Sequence, residues 1–84
     1  MSYQVVVTRS AKKELLRLPD PAYEAVTAAL KDLQETPRPH GVTKLHGRPE
    51  YRVRVGEYRL IYAIDDPERL VTVFVIAHRR EAYR

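Results

Sequence analysis

The stretch YRVRVGEYRLIY, residues 51–62, leaves a chain little choice of fold. Two runs of β-branched, aromatic and basic residues flank Gly56-Glu57, and a two-residue loop with glycine first fits a type II′ hairpin turn. Such a loop fixes the register. Val55 faces Tyr58, Arg54 faces Arg59, Val53 faces Leu60 and Arg52 faces Ile61. Successive side chains point to opposite faces of a strand, so Arg52, Arg54 and Arg59 share one face. Val53, Val55, Tyr58 and Leu60 share the other. Arg54 and Arg59 are then directly opposed, and like charges so placed cost up to about 1 kcal/mol. The pattern asks for an anion on that face.

The rest of the chain supplies a partner for the apolar face. YQVVVT (3–8) reads as a short strand. Ser10 is placed to cap a helix over 11–18, with Ala11, Leu15 and Leu18 on one side. Leu18-Pro19 ends it, and Asp20-Pro21 starts a second helix, with Asp at the N-cap and Pro in the first turn. Ala22, Val26, Ala29, Leu30 and Leu33 form its apolar stripe. Residues 36–50 read as a loop carrying three prolines and two glycines. LVTVFVIA (70–77) is almost wholly apolar and predicts a central strand covered on both faces or nearly so. The order β-α-α-β-β-β gives a two-layer α+β domain spanning 1–84: an N-terminal strand and helical hairpin, then three antiparallel strands. The helices cover the Val53/Val55/Leu60 side, which leaves the arginine side open.

Composition narrows the function. The chain has 84 residues and a net charge of +4. Residues 1–37 carry five basic and five acidic side chains, whereas residues 38–84 carry ten against six, so the whole excess lies in the half with the hairpin. A one-sided basic bias suggests a polyanionic partner. With no cysteine there is no disulfide framework, as suits a reducing cytoplasm. No apolar run is long enough to span a bilayer, and MSYQVVVTRS lacks the charged start of a signal peptide, so neither a membrane nor export is expected.

The last strand, if paired with 58–64, brings His78, Arg79, Arg80, Glu81 and Tyr83 close to Tyr58 and Arg59. Arginine forms bidentate bonds to phosphate and stacks on bases. Tyrosine offers a stacking face, and histidine titrates near neutral pH. This set suits a phosphodiester, where charge builds on the phosphoryl oxygens during attack. RNA carries its own nucleophile, the 2′-OH, and no carboxylate cluster suited to Mg²⁺ is visible in the sequence, so a cofactor-free, metal-free cleavage is expected. In this reading Arg59 stabilises phosphate charge, Arg52 and Arg54 hold the backbone, and Arg79 sits by the leaving group. His78 carries a proton if it faces the site, and Tyr83 stacks on a base or orients the 2′-OH. Arg80, Lys44 and Arg48 are candidate backbone contacts. The plainer alternatives are a solvated arginine face, a strand-end histidine and a tail tyrosine packed on the sheet edge. Tyr51 and Tyr62 are read as packing, as are Tyr3 and Tyr23, and His40 and His46 as surface groups.

SAKKELLRLP, KLHGRPEYRVRVGEYRLIY and VTVFVIAHRREAYR together resemble the RelE toxins of the RelE/ParE superfamily, over nearly the full length. The resemblance implies the toxin half of a type II toxin–antitoxin pair, a ribosome-dependent endoribonuclease that cuts mRNA in the A site. It also implies a cognate inhibitory antitoxin. Arg52 and Arg54 stand where studied RelE toxins have two lysines, Arg59 matches their phosphate-contacting arginine, Arg79 the arginine after the last strand, and Tyr83 the tail tyrosine at shorter spacing. Two arginines for two lysines means that a lysine-based proton transfer does not carry over, and Ala77 replaces the usual glycine before the basic pair. Two alternatives share this fold: a ParE-like toxin directed at DNA gyrase, and a basic nucleic-acid-binding module without activity.

Overall fold

Residues 2–80 are described by the structure, a computed structural model. Its elements are β1 (Gln4–Val7), α1 (Arg9–Leu16), α2 (Asp20–Asp32), β2 (Thr43–Lys44), β3 (Tyr51–Val55), β4 (Tyr58–Asp65) and β5 (Leu70–His78). The strands form one sheet in the order β1-β5-β4-β3-β2. β1 runs parallel to β5, and every other pairing is antiparallel. The α+β class is as expected, and the sheet is mixed.

The hairpin forms in the expected register, from Val55 opposite Tyr58 to Tyr51 opposite Tyr62. Gly56 has φ +58°, while Glu57 keeps a negative φ, the combination a type II′ turn requires. The Cβ of any other residue at position 56 would be strained by that backbone.

Local details depart from the sequence expectations. Thr8, rather than Ser10, caps α1, its Oγ1 accepting from the Ala11 N–H at 3.3 Å. An N-cap needs extended backbone, and Thr8 continues the extended run of β1. At α2 the cap residue is Pro19, so Asp20 lies in the first turn, where the helix dipole favours its charge. The loop over 36–50 contains a strand: Thr43 pairs with Arg52 and Lys44 with Tyr51. A two-residue strand is too short to show a periodicity.

The expectation that 70–77 is covered on both faces also needs correction. β5 lies inside the sheet, but both helices pack on one face only, and Phe74 is 42% exposed. The strand contains a bulge. Tyr62 pairs with Val73 and Ile61 with Val75, which leaves Phe74 without an opposite residue. The inward series is therefore Val71, Val73 and then Ile76, a spacing of two followed by three.

The core joins Ala11 of α1 and Val26, Leu30 and Leu33 at the second helix to Leu60, Tyr62, Val71, Val73 and Ile76 of the sheet. Tyr62 is the largest side chain in it. Its hydroxyl donates to the Pro37 carbonyl at 2.8 Å, and burial pushes the phenol up to about 12. Its ring stacks on Tyr51 at 6.1 Å, so the two tyrosines are packing groups as expected. Outside them, Arg38 grips Asp66 with bonds of 2.9 and 3.3 Å and donates to the Tyr51 hydroxyl at 3.2 Å. The Tyr3 hydroxyl donates to the same carboxylate at 2.6 Å. One acidic turn residue thus ties the β4–β5 turn to the start of the chain and to the loop after α2.

Two outcomes follow from this packing. Tyr62→Phe leaves the Pro37 carbonyl without its donor and is expected to lower unfolding free energy by about 1–2 kcal/mol in urea melts. The Arg38 and Tyr3 bonds hold the Asp66 carboxyl below its usual pKa. A depressed carboxyl adds stability above its unfolded-state pKa and loses it as pH falls through the folded value. Wild type should therefore lose melting temperature on acidification below about pH 4, near the unfolded carboxylate pKa, and Asp66→Asn should start lower at neutral pH and show a shallower acid slope. Parallel acid slopes for the two proteins would count against the clip.

Candidate nucleic-acid interface

The tight turn at Gly56 decides which side chains meet. Arg54 stands opposite Arg59, Arg52 opposite Ile61, and all four share the face that the helices leave uncovered. Across the next ladder Ala77 faces Arg59 and Val75 faces Ile61. Ile61, 7% exposed, forms with Val75 and Ala77 an apolar floor beside the arginines. Arg54 is exposed, and its Nε donates to the Gly56 carbonyl at 3.3 Å. Arg52 and Arg59 are half-buried, and the Arg59 Nε is fully enclosed. A guanidinium partly out of water binds an anion more strongly than one fully hydrated.

Arg79 joins this group at the hairpin tip. Its backbone N–H donates to the Glu57 carbonyl at 2.8 Å, and its Nε lies 3.1 Å from Glu57 Oε1. Glu57 is the one carboxylate of the hairpin, residues 51–64. In the sequence Glu57 reads only as a turn residue, and the signal that marks it is its standing as the lone acid of a basic hairpin.

His78 falls elsewhere. It pairs with Tyr58, whose face is the one beneath the helices, and the two rings meet edge to face at 5.5 Å. The Phe74 bulge is responsible. Strict alternation from Val71 and Val73 would put residue 78 with the arginines, and one extra residue flips it to the other side. His78 Nδ1 accepts from the Arg80 N–H at 3.3 Å, and Nε2 is 4.0 Å from Glu57 Oε1.

Lys44 and Arg48 are also apart from the arginine face. Lys44 shares Tyr51's face, 5.9 Å over that ring, and donates to the Arg48 carbonyl at 2.8 Å. The Arg48 Nε bonds Glu50 at 3.0 Å. Both lie beyond the far end of the hairpin and serve their own loop. Arg80 follows β5 as an exposed residue, and Tyr83 lies outside the described residues. Among the described residues no three histidine or acidic side chains gather as metal ligands do. The arrangement that remains is a cationic patch of Arg52, Arg54 and Arg59 on an apolar floor, with Arg79 paired to Glu57 at the adjoining hairpin tip. It can hold a phosphodiester by paired N–H bonds and charge.

Because Arg54 and Arg59 are directly opposed in the ladder, Arg54→Gln should raise stability at low ionic strength, by up to about 1 kcal/mol. The gain should shrink at high salt. Melts at both ionic strengths check this, and a loss of stability would mean that Arg54 has a structural partner worth more than the repulsion.

Comparison with known proteins gives a consistent result. A family model described as the ParE toxin of the type II toxin–antitoxin system parDE matches residues 5–83. Toxin RelE of Mycobacterium tuberculosis is 36% identical over 90 residues, covering 98% of this chain and 87% of that protein. In a crystal structure of an archaeal RelE–RelB complex from Pyrococcus horikoshii, one chain superposes with a TM-score of 0.86 at 28% identity, covering 98% of this chain and 100% of that one. The toxin–antitoxin complex RelBE2 from Mycobacterium tuberculosis gives a TM-score of 0.84 at 30% identity, covering 94% and 100%.

Proposed function

We propose that this chain, which belongs to the ParE/RelE superfamily of type II toxin–antitoxin toxins, acts in the cytoplasm as a ribosome-dependent endonuclease of mRNA. The observation that carries the reading is the gathering of Arg52, Arg54 and Arg59 on the open face by the hairpin register, with Arg79 at the adjoining tip. Guanidinium groups so gathered suit a phosphate backbone.

The reaction is transesterification without a metal. The 2′-oxygen loses its proton to solvent and attacks the adjacent phosphorus, the bond from phosphorus to the 5′-oxygen of the next nucleotide breaks, that oxygen takes up a proton from solvent, and a 2′,3′-cyclic phosphate remains. Arg59 holds the phosphoryl oxygens as their charge grows, and Arg52 and Arg54 hold the strand on either side. Arg79 sits by the leaving oxygen, and Tyr83 stacks on a base. His78, on Tyr58's face, serves the strand end by packing on Tyr58. Arginine is a poor base at neutral pH. The ribosome therefore supplies much of the alignment by positioning the mRNA.

A cognate antitoxin belongs to the same proposal, since similar toxins were solved as complexes with RelB. A partner segment bearing acidic side chains would neutralise the arginine face. The second reading is a toxin directed at DNA gyrase, and the ParE description of the matching family model favours it.

Primer extension on mRNA in a reconstituted translation system separates the two. Wild type should create new 5′ ends only when ribosomes are present, and Arg59→Ala should lower their yield by about 10²-fold or more, as loss of one charge-stabilising donor does. A folded wild type that gives no such ends but blocks gyrase supercoiling would support the second reading instead.

A further inference from the structure

Glu57 has no reason to be acidic in the fold itself. The second position of a type II′ turn does not call for a carboxylate, and an exposed ion pair adds little stability. A carboxylate also weakens phosphate binding on a basic surface. Yet Glu57 takes the backbone N–H of Arg79 on its carbonyl at 2.8 Å, and its carboxylate forms an ion pair with the Arg79 Nε at 3.1 Å. The same carboxylate oxygen stands 4.0 Å from His78 Nε2. Arg79 follows directly after β5, so its long side chain has no ladder to fix it. Glu57, on the rigid hairpin tip, does so.

We propose that Glu57 is a positioning residue of the site, holding the Arg79 guanidinium at the hairpin tip by an ion pair at Nε. Restraint at Nε reaches the whole planar fork, because the Nη groups are rigidly joined to it. The two residues lie on different elements, and the backbone hydrogen bond and the ion pair between them tie the end of β5 to the β3–β4 turn. The cost is one negative charge near the bound backbone. The benefit is an arginine already oriented when RNA arrives, which removes the entropy of ordering it at each turnover. This inference rests on the nuclease reading above.

Its signature separates rate from binding. Glu57→Ala should lower the saturating cleavage rate on programmed ribosomes by about 10-fold to 10²-fold, the scale of a misplaced catalytic group. Its half-saturating concentration should stay equal or improve, because a repulsive charge has gone. Glu57→Gln keeps the side-chain length and an oxygen facing the guanidinium but loses the charge, and should fall between Glu57→Ala and wild type in rate. The double variant Glu57→Ala/Arg79→Ala should be no slower than Arg79→Ala alone, because the two act as a unit. Thermal melts confirm that each variant is folded. Glu57→Ala cleaving as fast as wild type, or a double variant slowed by the product of the single effects, overturns this inference alone. A folded wild type that cleaves no mRNA overturns the nuclease reading and this inference with it.

Discussion

The ladder between β4 and β5 is the constraint on which the rest of the molecule depends. It is the longest pairing, running from Tyr58 opposite His78 to Asp65 opposite Leu70. Everything else attaches to it: β3 through the hairpin, β1 through its parallel pairing to β5, and both helices through Leu60, Tyr62, Val71, Val73 and Ile76. Within the ladder, the single extra residue at Phe74 decides which side chains face which way. It keeps Ile76 in the core and leaves Val75 and Ala77 under the arginines. The same shift carries His78 to the helix side. A basic face without its histidine is thus a consequence of how two strands pair.

The two ends of the sheet are treated differently. At the β4–β5 turn, Asp66 collects Arg38 and Tyr3, and the neighbouring Tyr51 and Tyr62 rings seal the end of the core. Cations and anions are matched there. At the hairpin end basic groups gather instead: Arg54 and Arg59 stand opposed on the open face, and Arg79 pairs with Glu57 at the tip. Positive charge concentrated on one face is the arrangement that attracts a polyanion. Lys44 and Arg48, though basic, belong to the matched category, since each is committed to its own loop.

Membership of the toxin superfamily gives this asymmetry a meaning, while leaving the chemistry to be worked out from the residues of this chain. Two arginines stand where the resemblance sets lysines, so the face has charge and hydrogen-bond forks but no group that readily gives up a proton near neutral pH. Such a site is strong at holding a phosphodiester and weak at proton transfer. Under the nuclease proposal, that combination leaves the alignment of the mRNA to a large partner.

The hairpin was legible from residues 51–62 because a two-residue turn and a period of two are local properties, carried by Gly56 and the alternation itself. The helix stripe ending in Val26, Leu30 and Leu33 was legible for the same reason. Less could be read where the deciding contact was distant. Thr43 and Lys44 become a strand only because β3 offers them an edge. Thr8 takes the cap from Ser10 because β1 is already extended. Glu57 passed as a turn residue because the arginine it holds is twenty-two positions away. The sequence by itself determined the composition of the arginine face, since register follows from the turn. Tertiary structure alone decided that His78 would share Tyr58's face instead, because a bulge is a mismatch between two paired strands and neither strand contains it on its own.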